Sequence, residues 1–252
     1  MVVEVLPISI KTQRRRFDLF GSLQGFAYKY NDIVVISSKF VSMSEGSVVK
    51  LSKVKVTKKA KDLATKNHMD AKLAELVLRE SECVMSAVPG FLLAIRDGTI
   101  APNAGIDKSN VPRGYAILYP PHPFETAEKL KLKFLVELGI RVGIVIADSR
   151  LMPTRIGTTG VAIACAGFEP VEDQRGRRDL FGNVLRVTFK AIADGLATMG
   201  VAVMGESDES TPVAVVRGAK VIWSDKKFSW KDMAVEPLQD IYLRGNLEQS
   251  CY

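Results

Sequence analysis

The sequence has few of the residues from which disulfide-rich proteins and histidine- or cysteine-based metal centres are built. Its 252 residues include three cysteines, Cys83, Cys165 and Cys251, which lie far apart. They show no metal-binding spacing, and their odd number argues against a disulfide framework. The two histidines, His68 and His122, are too few for a histidine-rich metal site. At this length the chain can instead bury a substantial hydrophobic core, in one or two domains.

The sequence also lacks the long apolar run that a membrane-spanning helix requires, about 20 residues. The charges near the N-terminus follow the first apolar stretch, residues 2–10, which is the wrong order for a secretory signal. Hydrophobic residues make up 47% of the chain and charged residues 25%, a balance typical of soluble globular proteins. We therefore expect a cytoplasmic protein without a membrane contact.

The common phosphate-binding motifs are missing as well. The chain contains neither GxxxxGKS/T nor GxGxxG, so a bound nucleotide would not be held by a P-loop or a Rossmann turn. There is no internal repeat, low-complexity tract or linker rich in Pro, Gly and Ser. We therefore interpret residues 1–252 as a single unit.

Positive charge is in surplus, with 35 Lys and Arg against 28 Asp and Glu, a net charge of +7. Such a surplus favours anionic partners such as nucleotides or phosphorylated cofactors. Residues 11–16 and 50–61 form basic clusters, but neither has the interleaved aromatic residues of a surface for single-stranded nucleic acid. Both clusters are equally explained as solvated segments, and we do not expect nucleic acid as a partner.

Hydrophobic periodicity predicts a mixed α+β fold. Residues 32–38 and 141–147 are continuous apolar runs, typical of buried strands. Amphipathic spacing predicts helices over residues 70–80, 124–138 and 184–200. Both apolar runs lead into polar residues, and α/β sheets commonly bind ligands at the C-terminal ends of their strands.

Thr99–Val111 concentrates turn-forming and polar residues in a short stretch, TIAPNAGIDKSNV. Asn103-Ala104-Gly105 predicts a sharp turn. Asp107, Ser109 and Asn110 follow, and short polar side chains of this kind suit a loop that grips a ligand. Asp107 can ligate a hard cation through oxygen. A surface turn with side-chain-to-backbone hydrogen bonds explains the same residues and remains an alternative.

Asp107, Asp148-Ser149 and Glu206 share a context, because each follows an apolar strand or lies beside glycine. Hard cations such as Mg²⁺ take oxygen ligands from separate segments, and two such ions can clamp a transferring phosphoryl group. Arg155, Arg175 or Arg217 can then offset negative charge that develops on phosphate. Alternatively, these carboxylates cap helices or pair with surface arginines.

Seven segments, in order over nearly the whole chain, resemble the coenzyme F-420:L-glutamate ligases, also called F-420-0 gamma-glutamyl ligases. The long segment at 173–194 together with AGIDKSN is the most specific. The segments are the turn at 38–46, AGIDKSNV at 104–111, IADS at 146–149, AIACAG at 162–167, DQRGRRDLFGNVLRVTFKAIAD at 173–194, MGE at 204–206 and PVAVVRG at 212–218.

The resemblance implies an enzyme that joins L-glutamate to the carboxylate of the deazaflavin F-420-0, a phosphodiester, at the expense of GTP. The implied route phosphorylates the carboxylate and lets the amine attack the acyl phosphate, with Mg²⁺ or Mn²⁺ neutralising charge. It also implies a two-lobed α+β fold, unrelated to P-loop proteins, in a homodimer.

By position, the resemblance implies that Asp107 and Asp148 hold one divalent cation. Ser149 and Glu206 would hold a second. Arg155 remains the candidate catalytic cation. The positions implied to contact the guanine nucleotide are Leu6, Pro7, Ile8, Ser9, Ser38, Lys39, Asn110, Met204, Gly205, Glu206, Ser207, Asp208, Glu209, Ser210 and Thr211.

The chain also departs from the family pattern. Met43 stands where the turn usually carries a second lysine that serves the nucleotide, and residues 151–157 retain Pro153, Arg155 and Gly157 of a usual GRPWRxG. Gly195 stands where the long helix usually has a glutamate. Two alternatives therefore stay open: a paralogue that ligates a different acid and amine, and a non-catalytic protein that binds a nucleotide or a phosphorylated cofactor.

Overall fold

The computed structural model describes residues 2–236 and 239–242. The described strands, in chain order, are β1 (Glu4–Ile8), β2 (Ile33–Ser37), β3 (Val48–Lys50), β4 (Cys83–Val88), β5 (Phe91–Arg96), β6 (Thr99–Pro102), β7 (Tyr115–Ile117), β8 (Gly143–Leu151), β9 (Thr158–Ala166), β10 (Val171–Asp173), β11 (Phe189–Ala191) and β12 (Val213–Arg217). The described α-helices are α1 (Leu19–Leu23), α2 (Ser38–Glu45), α3 (Lys58–Lys66), α4 (Ala71–Glu80), α5 (Pro123–Leu138) and α6 (Ile192–Met204).

The central sheet has five strands in the order β1-β12-β2-β8-β9. Only the β2–β8 pair is parallel, and the other neighbours are antiparallel. The middle strands are almost wholly buried, as their continuous apolar runs predict. This pattern confirms the α+β class and differs from the parallel sheet of a Rossmann fold.

Helices cover both faces of the central sheet. Helix α6 packs on one face, over Val35, Val145 and Ala214, whereas α1, α2 and α5 pack on the other, over Val34 and Ile144. Alternate side chains of each strand therefore belong to different cores. We call this three-layered part the sheet lobe.

Residues 48–117 form a second lobe with a hydrophobic core of its own. Helices α3 and α4 pack together there beside the three-stranded sheet β4-β5-β6. Helix α4 begins as predicted, because the Asp70 side chain accepts a hydrogen bond from the backbone N–H of Lys72. The loop that carries Asp107 leaves this second lobe and faces the sheet lobe.

The helix predicted over residues 184–200 is wrong in its first half. The helix begins at Ile192, and Phe189–Ala191 instead pairs with Val171–Asp173 as the ladder β11–β10. Val187, Thr188 and Phe189 are β-branched or aromatic residues, which favour extended backbone. The chain between the two strands forms an exposed arm, residues 174–188.

Two strand-end predictions are also changed by the structure. Residues 38–45 form helix α2, which ends at Gly46 with a left-handed φ of 81°, where a turn was expected. Strand β8 continues to Leu151, so that Asp148 and Ser149 lie within the strand. The next residue on the same face as Asp148 is therefore Arg150.

Among the described residues, no helix combines the length and the apolar character that crossing a bilayer would demand. Cys165 is a free thiol in the core, and burial raises its pKa. Cys83 is disulfide-bonded, which the odd cysteine count did not predict. Cys251 lies outside the described residues.

Candidate functional site

Asp148 lies at the edge of the sheet lobe, next to the first turn of helix α2. Because Ser37 and Ala147 are paired in the β2–β8 ladder, the residues that follow them are neighbours. The Ser38 hydroxyl donates to Asp148 Oδ1 at 2.8 Å, and Arg150 Nε donates to Asp148 Oδ2 at 3.3 Å. A hydroxyl and a guanidinium therefore hold this carboxylate from two sides.

Arg150 joins the sheet lobe to the second lobe. Its Nη1 donates to Thr99 Oγ1 at 2.9 Å and to the Ile100 carbonyl at 3.2 Å, both on β6. Its side chain is only 6% exposed, and its Nη2 is buried without a hydrogen-bond partner among the described residues. An arginine with this many contacts is fixed in one position, and it fixes Asp148 as well.

The loop before Asp107 has an unusual backbone. Asn103, Ala104 and Gly105 all have left-handed φ angles, between 51° and 71°, which is uncommon for non-glycine residues. The Asn103 side chain accepts a hydrogen bond from the buried Leu92 N–H at 3.0 Å, which holds this turn in place. The turn before Asp107 is therefore fixed, while Asp107 itself, partly exposed, makes the side-chain-to-backbone hydrogen bonds of the surface-turn alternative.

Asp107 is surrounded by hydrogen-bond donors. Its Oδ1 accepts from the backbone N–H groups of Lys108 and Ser109, and its Oδ2 from Lys39 Nζ at 2.9 Å and Ser109 Oγ at 2.6 Å. Burial alone would raise its pKa. The hydrogen bonds from Ser109 and the charge of Lys39 outweigh burial and lower the pKa to about 2. Asp107 is therefore a carboxylate at neutral pH.

Glu206 follows helix α6, on the same side of the sheet lobe as the end of β8. Its Oε1 accepts a hydrogen bond from Thr158 Oγ1 at 3.1 Å. Helix α6 lies unusually close to β9, because a Cβ at Gly160 would collide with the backbone of Ala197. Gly160 pairs with Ser149, so this close approach places the middle of α6 beside the strand pair that carries the proposed ligand Ser149.

A cavity of about 290 Å³ opens beside these groups. Lys39 and Asn110 line it, and so do all residues from Met204 to Thr211. Residues 6–9, which the resemblance implies as nucleotide contacts, lie on β1 or directly after it and do not line the cavity. Its lining begins one residue later, at Ile10. The remaining lining residues are Ile10, Lys11, Thr12, Gln13, Ser37, Phe40, Met43, Val201 and Pro212.

The three arginines considered for charge compensation lie elsewhere. Arg155 is on an exposed loop, does not line the cavity, and its side chain forms no ion pair in the part of the chain that the structure describes. Arg217 pairs with the buried Asp32 at 2.8 Å, and Arg175 pairs with Asp173 at 2.7 Å on the exposed arm. Lys39 and Arg150 are the cations that adjoin the carboxylates.

The donor set fits a hard cation that keeps part of its shell as water or phosphate. Within the described ranges, no three His, Cys, Asp or Glu side chains are grouped closely enough to hold a metal by themselves. Mg²⁺ typically uses one or two carboxylates together with waters and substrate phosphates, which is what Asp107 and Asp148 could supply. Ser149 and Glu206 are donors of the same oxygen type.

Sequence reasoning missed Arg150 and the wall formed by residues 10–13. Arg150 could have been found if β8 had been extended by three residues, since period two then places it beside Asp148. For residues 10–13 the sequence offers no comparable signal. Their place depends on a hydrogen bond from the Ile10 N–H to the Ser210 carbonyl, across two distant segments.

Together, the fold and the site define a two-lobed α+β protein in which carboxylates and cations lie where the lobes meet, beside a cavity with polar and apolar walls. The sequence model of the family described as "F420-0:Gamma-glutamyl ligase" matches residues 14–218 of the chain. The chain therefore belongs to this family of ligases, as the sequence motifs predicted.

Curated relatives agree with this assignment, and those described here are named "Coenzyme F420:L-glutamate ligase". The protein of Methanocaldococcus jannaschii is 39% identical over 197 residues, which are 78% of this chain and 79% of the relative. The Methanopyrus kandleri protein is 37% identical over 221 residues, 86% and 88% of the two chains. The Archaeoglobus fulgidus protein is 34% identical over 223 residues, 88% and 90%.

Proposed function

We propose that this protein is a GTP- and divalent-metal-dependent ligase that joins L-glutamate to the carboxylate of coenzyme F-420-0. The observation that carries the proposal is the convergence of Asp107 and Asp148, from different lobes, on consecutive residues of α2. Ser38 contacts Asp148, and Lys39 contacts Asp107. Family membership supports the ligase activity, and the names of the relatives support the two substrates.

The cavity is our candidate for the nucleotide site. The loop from Met204 to Thr211 forms one wall, and Lys39 and Asn110 lie on others. Phe40, Met43 and Val201 supply apolar surface suited to a base or ribose, and Lys39 supplies positive charge suited to a phosphate. A site of this type needs no glycine-rich phosphate loop.

Asp107 and Asp148 would hold one Mg²⁺ or Mn²⁺ ion, and Ser149 and Glu206 a second. When bound, such ions neutralise charge on phosphate oxygens. The chain's own contribution is to orient these donors: Ser38 and Arg150 fix Asp148, and Ser109 fixes Asp107. Arg150 adds a buried, fixed positive charge beside Asp148.

The proposed chemistry has two transfers. An oxygen of the F-420-0 carboxylate attacks the γ-phosphorus of GTP, and GDP leaves, which gives an acyl phosphate. The amine of L-glutamate then attacks the acyl carbon, loses a proton, and expels inorganic phosphate as the amide bond forms. Phosphate is a far better leaving group than hydroxide, which is why the nucleotide is spent. Lys39 and Arg150 would stabilise negative charge on the transferred group.

We further propose that the protein acts as a homodimer through the exposed arm. Leu180 is 100% exposed and Phe181 90% at its tip, and Val187 is 84% exposed. Large apolar side chains exposed in one segment typically mark an association surface. Sedimentation of the Phe181→Ser variant against the wild type tests this point, because a dimer through the arm should weaken.

The assay for the main proposal supplies GTP, Mg²⁺ or Mn²⁺, L-glutamate and F-420-0 to the purified protein and follows GDP and product mass. Glutamylated F-420-0, formed with stoichiometric GDP, is expected. No nucleotide turnover with any carboxylate would contradict ligase activity and favour a binding protein.

A second candidate is a paralogue that uses another acid or amine. The observation in its favour is the loop at 152–157, where the family pattern is altered and where Met152 and Ile156 are exposed. GDP release with a different carboxylic acid, and not with F-420-0, would support this alternative.

A further inference from the structure

Lys39 is held at the proposed site by two contacts. Its Nζ lies 2.9 Å from Asp107 Oδ2 and 3.0 Å from Ser109 Oγ. Both partners belong to the loop of the second lobe, whereas Lys39 belongs to α2 of the sheet lobe. Its side chain is 26% exposed, and it also lines the cavity. The ammonium group therefore lies between a carboxylate on one side and an open cavity on the other.

The other cation of the site is bound much more firmly. Arg150 makes hydrogen bonds to Asp148, Thr99 and Ile100, and its side chain is almost completely buried. Moving it would leave several buried groups unpaired, which is costly. Lys39 has a flexible four-carbon chain, and its ammonium can rotate to a new acceptor at little cost.

Asp107 Oδ2 already accepts hydrogen bonds from Lys39 Nζ and Ser109 Oγ, so a divalent cation that binds there must displace one of these donors. The two positive groups would compete for the same oxygen and repel each other over a few ångströms. A nucleotide in the cavity offers the displaced ammonium a phosphate oxygen, which forms a strong charge-assisted hydrogen bond.

We propose that Lys39 exchanges partners at this site: it holds Asp107 in the metal-free protein and moves to a nucleotide phosphate when the metal ion takes its place. The proposal rests on the proposed function, since it requires both a metal and a nucleotide. It assigns Lys39 two successive roles, first as a stand-in for the ion and then as a phosphate ligand.

The test compares Lys39→Met with Lys108→Met. Lys108 is exposed, lies next to Asp107 in sequence and engages it only through its backbone N–H, so its substitution removes an equal charge close to Asp107 without removing the ion pair. Binding of Mn²⁺ without nucleotide is measured from the electron paramagnetic resonance of the free ion. Binding of GTP at saturating Mn²⁺, without acid or glutamate, is measured by calorimetry.

Lys39→Met should shift the two dissociation constants in opposite directions. The dissociation constant for Mn²⁺ should fall about two- to fivefold, because the ion no longer displaces a partly exposed ammonium. The dissociation constant for GTP should rise about tenfold, because a charge-assisted contact is lost. Lys108→Met should change either constant less than about twofold. Lys39→Gln serves as a second variant, and circular dichroism verifies that both fold.

Several outcomes would overturn the exchange. If Lys39→Met weakens Mn²⁺ and GTP together, Lys39 only supports the loop. If the GTP constant is unchanged, Lys39 does not reach a phosphate. Either result, in a protein that still ligates glutamate, leaves the proposed function intact. If the wild-type protein binds no GTP, the proposed function fails and the exchange fails with it.

Discussion

The two carboxylate–cation pairs of the site differ in how they are built. Asp148 and Arg150 lie on one strand of the sheet lobe, with side chains 15% and 6% exposed. Asp107 and Lys39 come from different lobes, with side chains 42% and 26% exposed. Water screens the second pair and hardly reaches the first, so the same kind of ion pair has different energetic consequences.

This difference distinguishes an ion pair that holds the structure together from an ion pair whose members can change partners. A buried ion pair is costly to break, because the remaining charge has neither water nor a partner. An exposed pair contributes little to stability, and its members can change partners. We therefore expect the Asp148 side of the site to keep its geometry throughout the reaction, and the Asp107 side to rearrange when ligands bind.

The largest effect is expected for Asp148→Asn. The substitution leaves the buried Arg150 guanidinium without its anion, and should lower the free energy of unfolding by about 3 kcal/mol. That loss corresponds to a fall in Tm of roughly 6–12 °C for a chain of this size. Thermal unfolding by circular dichroism measures it, and the protein should remain folded at 25 °C.

The same variant should also lose metal-dependent turnover, by about a thousandfold or more if Asp148 ligates the ion. Its control is Asp173→Asn, which removes an exposed carboxylate at the end of β10 that is paired with Arg175 of the arm. Turnover retained by Asp148→Asn would refute the metal assignment, and an unchanged Tm would refute the buried-pair argument.

A smaller effect is expected when both members of the buried pair are replaced. In Asp148→Asn with Arg150→Met, no buried charge is left without a partner. The double variant should therefore regain about 2 kcal/mol of the stability that Asp148→Asn loses. Urea unfolding of the wild type, both single variants and the double variant completes the cycle. Strictly additive losses would show that the two side chains do not act as a pair.

The sequence predicted the parts of the site that depend on local pattern. The apolar run before Asp148 marked a buried strand, and Asn103-Ala104-Gly105 marked the turn that presents Asp107. The structure confirms both elements and the α+β class. The site roles of these residues, which the chemistry of their side chains suggested and the family resemblance made specific, stay predictions.

What the sequence could not supply is pairing across long separations. Lys39 and Asp107 lie in different lobes, and no local periodicity joins residue 39 to residue 107. The error over residues 184–191 has the same origin. Those residues have a spacing compatible with a helix, but β11 forms because Val171–Asp173 offers it a partner strand. Tertiary pairing of this kind adds to the extended preference of Val187, Thr188 and Phe189, and together they outweigh the helical spacing.

A still smaller effect on stability is expected for Asp107→Asn. The carboxylate is partly solvated, and its partner Lys39 can turn to water. The free energy of unfolding should therefore change by less than about 1 kcal/mol. Turnover should nevertheless fall by about a hundredfold or more, if the carboxylate ligates the ion. A large loss of stability in this variant would remove the distinction between the two pairs.

The smallest effect is expected for Met43→Lys, on the exchangeable side of the site. Met43 lies one helical turn after Lys39 on α2 and lines the same cavity, so a lysine there adds a second cation near the proposed nucleotide. The dissociation constant for GTP should fall about threefold, which is roughly 0.7 kcal/mol, as expected for a partly solvated contact. The matched control is Met152→Lys, because Met152 is exposed on a loop outside the cavity. Calorimetric titration of both variants decides the point. An equal gain in affinity for both variants would indicate only an effect of the added net charge. No gain for Met43→Lys would show that a lysine at residue 43 of α2 does not reach a phosphate.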